Sequence, residues 1–260
     1  MAVSPDMQML GAGLEGRGVI VTGAASGIGK ATAQAFAAAG ARVAAVDRDE
    51  VGINATIAGL AEPDRHMALP FDLGSTAEIP ELVTKVTKGL GDLWALAHIA
   101  AVLRRQPLDE VTEADWDLQH DVNLKATFFL DRAVGEVLIA AGNGGRIINF
   151  TSGSFLIGPM SGSDAYVASK GGVVSMTRGF ARSYGPHGIL VNTISPGQID
   201  TPMQHNDNPP EIVAAGIAAC PLGRIGQPEE VAAVVVFLAS AHASFVNGAT
   251  INVSGGSIMY

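Results

Sequence analysis

Short, wholly apolar runs along this chain alternate with longer stretches in which apolar residues recur every three or four positions. Gly18-Val19-Ile20-Val21-Thr22 is a run of the first kind and predicts a strand buried on both faces. Residues 30–39 are Ala-rich and helix-prone, and Gly40 supplies the stop. A second apolar run at 42–46 completes a strand–turn–helix–strand unit. The pattern then repeats, with a short helix over 51–60, a strand over 66–71, a helix from near Ser75 and a strand over 93–99. Thr112 and Asp115 have the spacing of a capping box, with Asp in place of Glu, and predict one long helix reaching about Ala141. Gly142-Asn143-Gly144-Gly145 reads as a turn and 146–150 as the fifth strand. A helix from Asp164 to Tyr184 follows, then a sixth strand over 189–194, which Ser195-Pro196-Gly197 is expected to break. Pro228 opens another helix, early enough that its missing N–H loses nothing, and 249–253 is the last strand.

This alternation, with no break in composition, predicts one doubly wound α/β domain with a mainly parallel sheet and helices on both faces. Residues 1–13 are expected to form a loose segment ahead of a domain spanning 14–260. The Pro-rich, least regular stretch, 198–226, is expected to act as a substrate lid.

Composition narrows the partners. The 260 residues are 48% hydrophobic and 16% charged, so the chain can bury a large core. A net charge of −9 offers no basic face for a phosphate backbone and no polybasic run for a membrane surface, so neither nucleic acid nor membrane is an expected partner. Cys220 is the single cysteine, which suits a reducing cytoplasm. Positions 1–16 lack the charged and apolar regions of a secretion signal, and the apolar run at 231–241 is too short to span a bilayer.

The candidate chemistry lies at the turns. Gly23, Gly27 and Gly29 fall between the first strand and its helix. They allow a tight turn and close approach of a dinucleotide pyrophosphate to the helix N-terminus, with Ser26 and Ile28 in the same loop. Asp47 ends the second strand, where a carboxylate can accept from both adenosine ribose hydroxyls and repel a 2′-phosphate; Arg48 beside it could soften that repulsion. With no basic residue in place of Ser26, NAD is favoured over NADP. Asp47 could instead cap a helix. Asp72, followed by Leu73, can meet an adenine amino group or cap the next helix. Ala100-Ala101 leaves little bulk where the fourth strand meets the cofactor, and His98 reads as a satisfied core residue. No His/Cys/Asp/Glu cluster has metal-ligand spacing, so no metal is expected.

Tyr166 and Lys170 stand four apart on a predicted helix and share one face. An ammonium about 4–6 Å from a phenol can lower its pKa by about 1–3 units and make it a usable acid/base near neutral pH. Alone, the pair reads first as a surface Tyr and Lys, and the rest of the chain decides between the two. Asn123, a polar amide in an apolar stretch, is either functional or a helix-bonded structural group.

Taken together, Thr22-Gly23-x3-Gly27-x-Gly29, Asn123, Ser152, Tyr166-x3-Lys170, Pro196-Gly197 and 223–231 resemble the short-chain dehydrogenase/reductase family, over about 14–258. The resemblance implies a Rossmann-type single domain. It makes Tyr166 the acid/base and Lys170 the group that lowers its pKa and holds the nicotinamide ribose. It also implies that Ser152 bonds the reacting oxygen and that Asn123 supports a water relay to Lys170. Ile199 and Thr201 would hold the carboxamide end of the cofactor, beside Pro196. A homo-oligomer, commonly a tetramer, is implied through the helices carrying Asn123 and Tyr166 and the C-terminal segment.

Three departures stand out. His98-Ile99-Ala100-Ala101 replaces the usual Asn-Asn-Ala-Gly, Ser152 precedes Tyr166 by one residue more than usual so that Ser154 could share its role, and Val253-Ser254-Gly255-Gly256 replaces Val-Asp-Gly-Gly. A small-molecule substrate is expected to meet Val102, Ser154, Phe155, Met160, Gln198, Met203 and His205. Arg104 is the candidate for pairing with a substrate carboxylate, although Arg104 and Arg105 could equally be solvated or sit at a subunit interface. The expected reaction is the NAD-linked interconversion of a secondary alcohol and a ketone on a polyol, sugar or sugar acid. A 3-oxoacyl thioester reductase and a non-catalytic NAD-binding scaffold are the alternatives.

Overall fold

The computed structural model describes residues 10–159, 162–206 and 208–260. Residues 1–9 of the expected loose segment, Met160 of the expected pocket and Asp207 of the expected lid lie outside them. Strands alternate with one or more helices. They are β1 (Gly18–Thr22), α1 (Gly27–Ala38), β2 (Arg42–Asp47), α2 (Glu50–Ala58), β3 (Met67–Pro70), α3 (Ile79–Leu90), β4 (Ala95–His98), α4 (Glu113–His120) and α5 (Ala126–Ala141). Then follow β5 (Gly145–Phe150), α6 (Ser154–Ile157), α7 (Asp164–Tyr184), β6 (Ile189–Pro196), α8 (Pro202–His205), α9 (Pro210–Ala219), α10 (Pro228–Ala239) and β7 (Thr250–Val253).

The strands form one parallel sheet in the order β3-β2-β1-β4-β5-β6-β7. Residue parity divides its side chains. Val19, Val21, Val43, Ala45, Ala95 and Ala97 face α1 and α10 through Phe36, Val231, Val235 and Leu238. Ile20, Ala44, Val46, Leu96, Ile147 and Val191 face α3, α5 and α7 through Val86, Leu130, Val134 and Tyr184. Helices on both faces explain why the strands read as unbroken apolar runs rather than as alternating ones.

Three boundaries differ from the sequence expectation. The helix opened by Thr112, whose hydroxyl accepts from Asp115 N at 3.1 Å, is divided by a π-turn at Asp121–Lys125 before α5 resumes. A π-bulge inserts one residue into the turn and rotates the helix beyond it, which periodicity alone does not announce. Strand β6 runs through Ser195 to Pro196, because Pro196 pairs in register with Val253 and its ring removes no bond the ladder needs there. The extra residue between Ser152 and Tyr166 lies in a connection that contains the short helix α6.

Candidate functional site

A cleft of about 610 Å³ opens at the carboxyl ends of β1, β2, β4 and β5, where open α/β sheets bind ligands. At its base α1 begins. Ser26 is its N-cap but makes no side-chain cap bond, so the first-turn N–H groups are left for another acceptor. The glycines are there because the turn has no room. A Cβ on Gly29 would stand 2.0 Å from Gly23 O, and one on Gly23 2.9 Å from Ala100 N. Gly27 has φ +51°, and a Cβ there would meet the Thr201 methyl at 3.0 Å. An uncapped helix end behind a turn with three glycines is a fit for a pyrophosphate. Ser26, Ile28, Arg48, Leu73 and Ala100 line the same cleft.

Asp47 also lines the cleft, and two backbone donors hold it, Ala25 N to Oδ2 at 3.2 Å and Asp49 N to Oδ1 at 3.1 Å. The helix-cap alternative for this residue is filled by its neighbour: Asp49 caps α2 through Gly52 N at 3.0 Å. Asp72 accepts from Gly74 N at 2.9 Å in a tight turn and caps no helix.

The departure at His98 is compensated. Thr22 Oγ1 accepts from Ile99 N at 3.0 Å and Ala100 N at 3.1 Å, which occupies both its lone pairs. Its proton therefore goes to His98 Nδ1, 2.8 Å away, and the ring carries its own proton on Nε2. Burial, with the Lys170 charge behind it, pushes His98 down to about 3, so the ring stays neutral. Nε2 itself is buried without a partner among the described residues.

Tyr166 and Lys170 share one face of α7, as their spacing requires. Lys170 Nζ lies 5.8 Å from the phenol ring centroid and donates to Phe150 O at 2.9 Å, at the end of β5. The expected direction of the tyrosine's pKa is overturned. Burial pushes Tyr166 up to about 12, against smaller downward pulls from the Ser152 hydroxyl and the Arg105 charge. Part of the ring opens to the cleft, yet enough protein surrounds the hydroxyl for lost solvation to dominate. Lys170, itself buried, is pushed down to about 8 by the same loss. Ser152 Oγ stands 2.8 Å from Ser154 Oγ, and both line the cleft beside Tyr166. The two serines thus form a pair.

The remaining expected residues divide. Pro196, Ile199, Thr201, Val102 and Met203 line the cleft. Asn123 does not. Its side chain is spent on backbone and Ser169: Oδ1 accepts from Val102 N at 2.8 Å, and Nδ2 donates to Val102 O at 2.9 Å and Ser169 Oγ at 3.2 Å. It clamps the segment after β4 onto α7, and the π-turn aims it. Gln198 lines a second, smaller cavity with Cys220, and a Cβ on Gly216 would meet its Nε2 at 2.0 Å. His205 pairs with Asp200 at 2.7 Å on the surface. Phe155 packs edge-on against Tyr260, with 5.9 Å between ring centroids. Arg104 is exposed and outside the cleft lining; Arg105 is the arginine that reaches it. Ser163 and Gln204, which no motif marks, also line the cleft. Among the described residues no group of three or more His, Cys, Asp or Glu is placed to hold a metal ion, and no helix is long and apolar enough to cross a membrane.

Comparison with known proteins fits this geometry. A family profile described as Enoyl-(Acyl carrier protein) reductase matches residues 23–257. D-threitol dehydrogenase of Mycolicibacterium smegmatis is 38% identical, over 94% of this chain and 93% of the relative. A 3-oxoacyl-[acyl-carrier-protein] reductase of Thermotoga maritima is also 38% identical, over 95% of this chain and 99% of the relative. The crystal structure of a short-chain alcohol dehydrogenase of Sinorhizobium meliloti, itself so assigned provisionally, superposes with a TM-score of 0.88 at 34% identity, covering 94% of this chain and 97% of that one. With a parallel sheet, an uncapped glycine turn and a Tyr–Lys helix in one cleft, the chain belongs to the short-chain dehydrogenase/reductase family of oxidoreductases, which use NAD(P).

Proposed function

We propose that this enzyme uses NAD(H) to interconvert a secondary alcohol and a ketone on a polyol, sugar or sugar acid, with Tyr166 as the acid/base. The observation that carries the reading is the meeting of Tyr166, Lys170 and the Ser152–Ser154 pair in the cleft that also holds the uncapped start of α1 and Asp47. Gly23, Ser26, Gly27, Ile28 and Gly29 would hold the pyrophosphate, and Asp47 the adenosine ribose. Asp72, Leu73 and Ala100 would flank the adenine side, and Pro196, Ile199 and Thr201 the nicotinamide side. When bound, the nicotinamide supplies the hydride acceptor or donor.

The protein's own groups move the proton. Tyr166, kept as a phenol by burial, gives its proton to the developing alkoxide in reduction; in oxidation it must first lose that proton, and as the phenolate it takes one from the alcohol. Ser152 holds the reacting oxygen and Ser154 fixes the Ser152 hydroxyl, so the donor is aimed before charge develops. Lys170 is held by Phe150 O at the foot of the site, where its charge favours oxyanion formation. Asn123 positions Val102 in the lining. Residues 198–226, with α8 and α9, form the substrate lid of a domain that spans 14–260.

The polar lining supports a polyhydroxylated substrate, since Ser152, Ser154, Ser163, Gln204 and Arg105 share the cleft with Val102, Leu103 and Met203. Relatives with polyol names include D-threitol dehydrogenase, the galactitol 2-dehydrogenase of Agrobacterium fabrum and the NAD-dependent glycerol dehydrogenase of Listeria innocua. The equally similar 3-oxoacyl reductase keeps a thioester substrate as the second reading. Assembly into a homo-oligomer belongs to the same proposal, supported by the exposed Phe128 on α5 and the exposed Met259 and Tyr260. So does a cytoplasmic setting, which a chain with one cysteine suits.

The test is an absorbance screen of nicotinamide reduction over sugars, sugar acids, polyols and cyclic alcohols, with NAD and NADP run in parallel. Turnover of a polyol or sugar acid with NAD is expected. A strong NADPH preference with 3-oxoacyl thioesters would move the function to the second reading. Tyr166→Phe should lose roughly 10³-fold or more in kcat while still binding NAD.

A further inference from the structure

We propose that Arg105 is a positioning residue of this reaction, latching α8 over the cleft and setting the positive field in which Tyr166 works. The inference rests on the function proposed above and goes beyond it. Arg105 lies after β4, lines the cleft with Tyr166, and sends its guanidinium across to the lid. Nη1 donates to Asn206 O at 2.9 Å and to Met203 O at 3.4 Å, and Nη2 donates to Met203 O at 3.3 Å.

Those carbonyls belong to the last turn of α8 and the residue after it, at a helix end, where carbonyls turn to donors outside the helix. A planar fork holds both in one preorganised geometry; an ammonium, with its three donors on a single nitrogen, lacks that fork. The other end of α8 is tied to the site as well. Thr201 caps it through Gln204 N at 3.3 Å, and its methyl closes on Gly27. With both ends fixed, Met203 and Gln204 face the cleft. Arg105 is therefore a contact that ties α8 to the segment after β4. Its charge also pulls the Tyr166 phenol toward ionisation.

The two roles separate by substitution. Arg105→Lys keeps the charge and loses the fork, whereas Arg105→Met loses both. In steady-state oxidation, both variants should raise KM by roughly tenfold, which is the loss of about 1.4 kcal/mol in lid closure. Only Arg105→Met should move the alkaline rise of kcat, upward by roughly half to one pH unit, because removing a cation disfavours the phenolate. Two readouts do not need turnover. Amide exchange at 204–206 should quicken in both variants, and absorbance titration of the three tyrosines should show one phenol moved upward in Arg105→Met alone. If the wild type turns over no alcohol, the function proposed above fails, and these two readouts still decide the role of Arg105. Unchanged exchange and an unmoved phenol in Arg105→Met overturn the inference, as does a KM rise with identical pH profiles in both variants, which would make Arg105 merely structural.

Discussion

Asp131 on α5 is wholly buried, and its replacement by Asn should stabilise the protein at alkaline pH. Its Oδ2 accepts from Asn149 Nδ2 at 2.7 Å, and the same amide donates to Thr177 Oγ1 at 3.1 Å. Asp131 Oδ1 and Asn149 Oδ1 are both buried without a partner among the described residues, so a proton on the acid supplies a donor to the pair. Burial pushes this carboxyl from 3.8 up to about 8, and it is neutral in the folded protein at pH 7. The unfolded chain ionises it near 3.8. Across that window the folded state therefore holds a proton the unfolded state has released, and stability falls as pH rises. The contribution is fully present below about 3.8 and is lost as pH passes through about 8. At ~1.4 kcal/mol for each pH unit, the loss between about pH 5 and about pH 8 is ~4 kcal/mol. Asn cannot ionise, and its amide offers both the acceptor and the donor that the site needs. Urea unfolding of wild type and Asp131→Asn, followed by circular dichroism across that range, should show the variant gaining this difference. A difference between the two proteins that stays level with pH would refute the neutral acid.

Gly29→Ala would place a methyl 2.0 Å from Gly23 O, so thermal unfolding should show a loss of about 1–3 kcal/mol or more, and fluorescence titration should show NAD affinity falling with it. Asp47→Ala removes the carboxylate that repels a 2′-phosphate and should shift the NAD-to-NADP ratio of kcat/KM by about tenfold or more toward NADP; an unchanged ratio would place cofactor choice elsewhere. Ser154→Ala removes one hydrogen bond to Ser152 and should lower kcat by roughly 3- to 10-fold, well short of the ~10²-fold expected for Ser152→Ala. Because the Tyr166 phenol titrates at about 12, ketone reduction should vary little from about pH 6 to about pH 8, while alcohol oxidation should climb with pH.

Much of this molecule was legible in the chain because it is local. A buried strand, a glycine turn and a helix are adjacent in sequence, and the apolar runs report a sheet covered on both faces. Tyr166 and Lys170 share a face because a helix repeats every 3.6 residues. The glycines at 23, 27 and 29 answer to backbone crowding within one loop and the strand end beside it. The positions that distant segments decide were not legible. Adjacent arginines look alike in sequence, yet Arg104 is exposed while Arg105 reaches α8, some hundred residues away. Gln198 and His205 sit on the expected lid, but Gln198 lies beside Gly216 in the second cavity and His205 pairs with Asp200 on the surface. Asn123 became a backbone clamp through a π-turn that no periodicity signals. The spacing of Tyr166 and Lys170 suggested an acidified phenol, and the fold reversed the sign. Spacing along a helix sets which groups are neighbours, but the loss of water around both is set by everything else that packs there.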